Sequence, residues 1–301
     1  MHYRKITAAV LCATAVLSTA AAAQPAYADS TATAISYGND TSDAERQEVL
    51  SLMGIDPSSV SDEYVTIVTN EDEHNMLDSY LSSSVIGTQA ISCSAVTQEG
   101  DGYGIQVTTH NINYCTEEMY QNALATAGLE NADVQVAAPY AVSGTAALVG
   151  VTKAYTVLTG KEVDQDNLDA AADELVTTGD VGDEIGDQDK AAELIAAAKQ
   201  QVVDSKTTDP DEIRQIIINV AGDMNINLSD DALDQITELL QKVSKLDLSS
   251  DQLQSQLSGL YDKLKSNGVD LGISEDEAKG FFEKLADFFT NLWNSIFGSS
   301  D

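Results

Sequence analysis

The sequence predicts an α+β protein, in which a small, mainly antiparallel sheet with helices is followed by an all-α helical array. Two observations lead to this fold class. Up to about residue 160, stretches rich in β-branched residues alternate with helix-start signals. Beyond Gly160 the strand signals stop, and apolar residues recur at helical spacing. We therefore divide the chain into a signal peptide at 1–28, an α+β domain at 29–160, and an acidic helical region at 161–301 that ends in an aromatic helix.

The first 28 residues are typical of an export signal. His2, Arg4 and Lys5 precede an apolar run, and Ala26-Tyr27-Ala28 forms a small-residue cleavage site before Asp29. No later stretch has the ~18 to 20 apolar residues of a spanning helix, so no transmembrane segment is predicted in the mature chain. We expect the mature protein to be secreted or associated with the cell surface.

The composition is strongly acidic. The 301 residues include 49 Asp and Glu against 15 Lys and Arg, for a formal net charge of −34. The window 47–152 contains no Lys or Arg at all. Such a chain repels anionic polymers, so nucleic acid is excluded as a partner, and an anion site in this window would depend on backbone N–H groups or a metal. Alternatively, the acidity serves only to keep an exported protein soluble.

Helix caps and β-branched runs define the elements at the start of the α+β domain. A capping box at Ser42 and Glu45 predicts a helix that ends near Met53. Residues 63–69 are rich in β-branched side chains and predict a strand. A second capping box, at Asn70 and Glu73, predicts a helix that ends near Leu81.

The next two β-like runs, 85–97 and 103–109, flank a Gly-containing turn and predict a hairpin. When their apolar faces are aligned, Cys115 lies opposite Gly87 and about 20 Å along the strand from Cys93. A disulfide requires Cα atoms within roughly 7 Å. The sequence therefore predicts that both cysteines of the mature chain are free, largely buried thiols.

The rest of the α+β domain is predicted to contain a helix, a short strand and a second helix. Thr116 caps a helix that Gly128 ends, and residues 134–138 form a short strand that Pro139 interrupts. Ser143 is placed to cap a helix over 144–158.

Four amphipathic helices are predicted in the second half. Their apolar positions are Leu194, Ile195, Ala198 and Val202; Ile213, Ile216, Ile217 and Val220; Leu233, Ile236, Leu240 and Val243; and Leu253, Leu257, Leu260 and Leu264. The Gly-containing acidic stretch 177–189 is a candidate linker. The change from strand signals to helical spacing of apolar residues, however, places the domain boundary nearer Gly160.

The C-terminus is unusually aromatic. All five Phe and the single Trp, Trp293, lie within the last 21 residues. We predict that this final helix packs on the preceding helices, because so large an apolar face is seldom left in water. The alternative is a helix that docks on a partner or on a membrane surface.

The candidate binding residues lie at two places. His110 ends a strand, within reach in principle of Tyr114 and of Glu117 and Glu118. Ser143, Gly144 and Thr145 start a helix, where N–H groups face outward. No nucleophile, phosphate-loop or metal-ligand motif occurs in the chain, and a partial calcium-loop pattern from Asp223 lacks its glycine. We therefore assign no catalytic residue, no metal site and no cofactor.

A longer pattern carries a resemblance. It comprises Thr109 to Ile112, Thr116 to Tyr120, Ala125 to Gly128, Ala132 to Val134, Val142 to Leu148 and Lys153 to Tyr155. In these roughly 50 residues the chain resembles the YpuA-like family, exported proteins of Gram-positive bacteria that carry a domain of unknown function. The resemblance implies export and a role in the cell envelope, and it brings no catalytic residues with it.

Two functions are consistent with the sequence. The favoured one is a non-enzymatic secreted or cell-envelope binding module whose ligand and oligomeric state the sequence leaves open. The alternative is a hydrolase of wall polymers or peptides that uses Glu117 and Glu118 with His110. The hydrolase requires His110, Tyr114 and a carboxylate to face a shared cleft.

Overall fold

The computed structural model describes residues 32–253 and Gln256. The predicted signal peptide, most of the fourth helix of the array and the aromatic C-terminal helix lie outside the described residues. The strands are β1 (Thr33–Gly38), β2 (Val65–Val68), β3 (Cys93–Gln98), β4 (Ile105–Ile112) and β5 (Ala132–Val142). The helices are α1 (Asp43–Leu52), α2 (Asn70–Leu77), α3 (Ser83–Ile86), α4 (Glu117–Thr126), α5 (Thr145–Thr159), α6 (Gln165–Ile185), α7 (Gln188–Ser205), α8 (Pro210–Asp223) and α9 (Asp230–Val243). The α+β class followed by a helical array is confirmed.

Helix starts follow the capping signals closely. The Ser42 hydroxyl accepts a hydrogen bond from Glu45 N, and Ser42 N donates to the Glu45 carboxylate at 2.7 Å, as predicted for α1. At α2 the capping box is Thr69 with Asp72, one residue earlier than predicted. This shift frees Glu73 from the cap and lets it face the interior, where it is 1% exposed.

The sheet is mixed, with the strand order β2-β1-β3-β5-β4. The pairs β1–β2 and β4–β5 are parallel, whereas β1–β3 and β3–β5 are antiparallel. The predicted hairpin of 85–97 with 103–109 is wrong, because β5 lies between β3 and β4 and pairs with both. The chain does turn after β3, with Tyr103 N donating to Gly100 O, but β4 passes over to the sheet edge. These pairings mean that β1, β2, β4 and β5 run in the same direction and β3 runs opposite to them.

Helices cover both faces of the sheet. On one face α4, α5 and the first half of α6 bury Val96, Val134 and Val136. On the other face α1 contributes Val49 and Leu50 to a smaller cluster. The α5 helix lies very close to β1 and β3, because a Cβ on Gly150 would be only 2.8 Å from the Ser94 hydroxyl oxygen and 3.0 Å from that of Ser36.

The helical array has its own apolar cluster, formed by residues of α6, mainly from its second half, together with α7, α8 and α9. The buried positions of α7, α8 and α9 include those predicted from helical spacing. The candidate linker at 177–189 is not a linker, since most of it continues α6, where Thr178 and Val181 are buried. Leu175 in the same helix packs into the cluster beside the sheet, so α6 contributes to both clusters.

A buried ion pair joins α4, α6 and α7. Lys199 Nζ lies 2.7 Å from Glu174 Oε1, and the two side chains are 2% and 0% exposed. Lys199 also donates to Asn122 O at 3.0 Å and to the Thr126 hydroxyl at 2.9 Å, while that hydroxyl donates to Glu174. Every charge in this group therefore has a hydrogen-bonding partner, as burial requires.

Both cysteines of the described chain are free and buried, as predicted. The geometric reason differs from the predicted one, because Cys93 lies opposite Ala137 of β5, and Cys115 lies near the start of α4. Burial raises the pKa of the Cys93 thiol to about 11 and that of the Cys115 thiol to about 12. Among the residues that the structure describes, no helix is long and apolar enough to cross a bilayer.

Candidate functional site

A cleft of about 360 Å³ lies at the carboxyl end of β5, one of the parallel strands of the sheet. Its walls are the segment before β3, the first turn of α2 and the junction of β5 with α5. Openings at the carboxyl ends of parallel strands are common ligand sites in sheets covered by helices. We call it the α5 cleft; its polar lining comprises Glu73, Ser84, Thr88, Gln89, Ser92, Tyr140, Ser143 and Thr145.

Glu73 is the buried ionisable group of the α5 cleft. Its Oε1 accepts a hydrogen bond from the Thr145 hydroxyl at 2.8 Å, and its Oε2 accepts from Asn70 Nδ2 at 3.4 Å. Burial raises the pKa of Glu73 to about 7, with a smaller contribution from the Asp40 charge, although both hydrogen bonds and His74 act against the rise. Glu73 therefore exchanges between carboxylate and carboxylic acid near neutral pH.

The start of α5 forms the part of the wall next to Glu73. Gly144 has φ +98°, and a Cβ there would lie 2.4 Å from the Tyr120 hydroxyl oxygen, so this position requires glycine. The Tyr120 hydroxyl in turn donates to Gly144 O at 2.5 Å and fixes the backbone of this turn. The predicted cap by Ser143 is wrong, because Gly144 occupies the cap position of α5 and supplies no capping side chain. The Ser92 hydroxyl instead accepts from Ala147 N at 2.9 Å.

The rim carries an aromatic ring and small polar groups. The Tyr140 side chain is 49% exposed, which is the largest exposure of a large apolar or aromatic residue in the described chain. The facing segment contributes Ser84, Thr88 and Gln89, which are all exposed. No Lys or Arg is among the residues that line the cleft.

The structure places three of the five predicted binding residues in the α5 cleft. Ser143, Gly144 and Thr145 line the α5 cleft together, and the Ser143 and Thr145 hydroxyl oxygens are 3.3 Å apart. His110 and Tyr114 are not among its lining residues. His110 is half-buried on the sheet face of exposed Gln106 and Thr108.

Tyr114 packs against α6, where a Cβ on Gly179 would be 2.5 Å from its hydroxyl oxygen. Burial raises the pKa of the Tyr114 hydroxyl well above its usual value. Glu117 accepts from Thr109 N at 2.9 Å, and Glu118 is buried in α4. None of these groups lines the cleft that contains Glu73.

Two other clefts lie elsewhere on the surface. One, of about 440 Å³, lies between the β3–β4 turn and residues 247–253 with Gln256, where the Gln256 amide pairs with both backbone groups of Ile105 at 2.9 Å. The other, of about 670 Å³, runs beside β2, where Lys153 binds Asp72 at 2.8 Å. Within the described residues, no group of three or more His, Cys, Asp or Glu side chains is placed to hold a metal ion.

Sequence reasoning missed Glu73 and the segment 84–92. It assigned Glu73 to a helix cap, and the Thr69 and Asp72 pair was the signal that could have corrected this register. The segment 84–92 reaches the site only because β3 occupies the middle of the sheet. Local patterns carry no information about that arrangement.

Comparison with known proteins gives one family. The family model described as "Protein of unknown function (DUF1002)" matches residues 37–260, which include every residue of the α5 cleft. The chain is 39% identical over 264 residues to "Uncharacterized protein YpuA" of Bacillus subtilis (strain 168), a match that covers 87% of each chain. No solved structure matches. On the extent of both matches, the chain belongs to the DUF1002 family of proteins of unknown function.

Proposed function

We propose that this protein is a non-enzymatic binding module of the cell envelope or the extracellular space, and that the α5 cleft is its binding surface. The observation that carries the proposal is the convergence of Glu73, Ser143 and Thr145 in one concave site. Concave sites in which a few polar groups converge, with a titratable group of perturbed pKa, are the usual location of ligand binding.

The geometry favours binding over hydrolysis. A hydrolase of the expected kind needs His110 and a carboxylate directed at the same substrate atom. His110 lies on β4, and its expected partner Glu117 is bonded to Thr109 N. Glu73, in contrast, bonds to the first residue of α5, where it holds the wall of the cleft in place.

The extracellular location rests on the sequence. The segment 1–28 has the charge, apolar run and cleavage site of an export signal. After its removal, 273 residues remain with 13 Lys and Arg against 49 Asp and Glu, a net charge of −36. Because an anionic wall repels such a chain, we propose that any retention there depends on specific contacts rather than on general adhesion.

The test is a retention assay with residues 29–301 and purified cell-wall fractions. The variant Gln89→Trp places a large ring in the cleft, and Gln47→Trp makes the same change at an exposed position of α1, away from the cleft. We expect one fraction to retain the unmodified protein and Gln47→Trp but not Gln89→Trp. If the fraction also retains Gln89→Trp, the cleft is not the binding surface. Soluble fragments released from the fraction would favour the hydrolase.

A second measurement tests the location. The protein is followed by antibody in the cytoplasm, in the washed wall and in the culture medium. We expect it in the wall or the medium with Asp29 as its first residue. A full-length chain confined to the cytoplasm would contradict the extracellular part of the proposal.

A further inference from the structure

We propose that the α5 cleft binds an uncharged, hydroxyl-rich ligand, a sugar ring of a glycan, with Tyr140 as the surface on which the ring packs. This inference rests on the proposed binding function and names the class of ligand. Four properties of the site lead to it: the absence of Lys and Arg from its lining, the hydrogen bonds that Glu73 already accepts, its other hydrogen-bonding groups and its exposed aromatic ring.

Charge argues against an anionic ligand. No Lys or Arg lines the cleft, and none occurs anywhere in the window 47–152. The nearest Lys or Arg in sequence is Lys153, which binds Asp72 at 2.8 Å and Ile67 O at 3.2 Å beside the neighbouring cleft. His74, which follows Glu73, pairs with Asp78 and does not line the cleft. A phosphate or carboxylate would therefore meet Glu73 with no Lys or Arg to offset the repulsion.

Glu73 also makes a poor counter-charge for a cation. Both of its carboxyl oxygens already accept hydrogen bonds, from Thr145 and Asn70. The positive end of the α5 dipole lies on the same wall and opposes a bound cation. An uncharged ligand avoids both conflicts.

The hydrogen-bonding groups match the hydroxyls of a sugar. The exposed side contributes two hydroxyls, from Ser84 and Thr88, and the Gln89 amide. Hydroxyls and amides both donate and accept, as sugar hydroxyls do, so either partner can adjust to the other. The cleft volume of about 360 Å³ lies within the ~300 to 1,000 Å³ of small-molecule sites.

The exposed ring of Tyr140 supplies the apolar part of the site. One face of a pyranose presents C–H groups, which pack against an aromatic ring while the hydroxyls at the ring edge reach polar groups. Tyr140 is 49% exposed at the rim, next to the hydroxyl-lined wall. An aromatic side chain with an apolar face and a polar tip suits a ligand of this mixed character.

The test is calorimetric titration of residues 29–301 with neutral probes: tetrasaccharides of glucose and of N-acetylglucosamine, and free glucose. The charged comparison probes are poly(glycerol phosphate) and spermidine. We expect saturable binding of at least one tetrasaccharide and no binding of the charged probes. Tighter binding of a tetrasaccharide than of glucose identifies a glycan chain as the source, and equal binding identifies a free sugar.

Variants locate the binding. We expect Tyr140→Ala to weaken the tetrasaccharide at least tenfold and Tyr140→Phe to preserve it. Tyr103→Ala removes another exposed tyrosine, on the β3–β4 turn, and should leave the affinity unchanged.

The outcomes separate this inference from the proposed function. Binding of a charged probe that Gln89→Trp abolishes would overturn the sugar inference and leave the binding module intact. Equal affinity of Tyr140→Ala and the unmodified protein would overturn the role of the ring. Failure of all probes together with failure of every wall fraction would overturn both.

Discussion

Gly150 determines how closely α5 packs on the sheet. It lies in the middle of α5, and its missing side chain lets the helix approach the Ser36 and Ser94 hydroxyls of the sheet. Both hydroxyl oxygens are buried without a hydrogen-bond partner in the described structure, so close packing here is kept at some energetic cost. Because α5 carries one wall of the α5 cleft, Gly150 fixes the site as well as the core.

We predict that Gly150→Ala destabilises the protein by about 1 to 3 kcal/mol, because the added Cβ overpacks the helix against β1 and β3. Urea unfolding followed by circular dichroism measures this change. The matched control is Gly222→Ala on α8, where an added Cβ meets nothing within 4 Å. The control should be neutral or should stabilise by up to about 1 kcal/mol, since Ala favours helix. Equal effects of the two substitutions would show that α5 is not closely packed.

Glu73 makes stability depend on pH. Its pKa is raised from 4.5 to about 7 in the folded protein, mainly by burial, so the folded chain holds the proton more tightly than the unfolded chain. As pH rises from about 4.5 to about 7, the unfolded state loses this proton first, and stability falls.

We predict that the free energy of unfolding decreases between pH 5 and pH 8 and that Glu73→Gln reduces the decrease. At about 1.4 kcal/mol per pKa unit, the difference between the two proteins should reach roughly 2 to 3 kcal/mol. Glu193, whose pKa burial also raises to about 7, should maintain part of the slope in both proteins. Identical pH profiles for the two proteins would contradict the burial of an ionisable Glu73.

At the scale of elements, the buried pair of Lys199 and Glu174 connects three helices. We predict that Lys199→Met alone costs about 3 to 5 kcal/mol, because Glu174 is left buried without its counter-charge. The double variant Lys199→Met with Glu174→Leu should recover most of that loss. A double-mutant cycle by urea denaturation measures both. Lys161→Met, at an exposed position, should change stability by less than about 0.5 kcal/mol, and a double variant as unstable as the single one would refute the explanation.

Elements were predictable where their signals are local. The caps at Ser42 and Thr116 and the helical spacing of α7, α8 and α9 identified helices that the structure confirms. Strand order was not predictable, since the turn after β3 has the sequence of a hairpin whether or not its strands pair. The position of β5 between β3 and β4 depends on packing α4 and α5 on one sheet face, which is a long-range property.

The residues of the α5 cleft divide in the same way, into those with a local sequence signal and those that long-range packing brings to the site. Ser143, Gly144 and Thr145 were found because a helix start has a sequence signature. Glu73 was missed because a one-residue error in the cap of α2 turns this side chain from a surface role to an interior one. His110 and Tyr114 were predicted as binding residues, but they lie on β4 and against α6, which a one-dimensional pattern does not show.

The whole molecule carries far more acidic than basic groups. With 49 acidic and 15 basic residues, most carboxylates have no cation to pair with, and their mutual repulsion destabilises the folded state. Added salt screens such repulsion, because the Debye length falls from about 30 Å at 0.01 M to about 8 Å at 0.15 M.

We therefore predict that the melting temperature of residues 29–301 rises by several degrees between about 0.01 M and 0.15 M NaCl, measured by differential scanning calorimetry. A gain of 1 kcal/mol corresponds to about 2 to 4 °C for a chain of this size. Tetramethylammonium chloride should have the same effect, since screening does not depend on the identity of the cation. Stabilisation by Ca²⁺ alone would instead indicate a specific cation site.

The two buried thiols lie on different sides of the sheet. Their reactivity therefore reports the opening of each covering layer of helices separately. Cys93 belongs to the cluster under α1, and Cys115 to the cluster under α4 and α5. A thiol whose pKa is raised by burial is shielded from alkylating reagents and oxidants until the structure around it opens. Since each side has one such group, the modification rates at Cys93 and Cys115 separate the loss of one covering layer from the loss of the other.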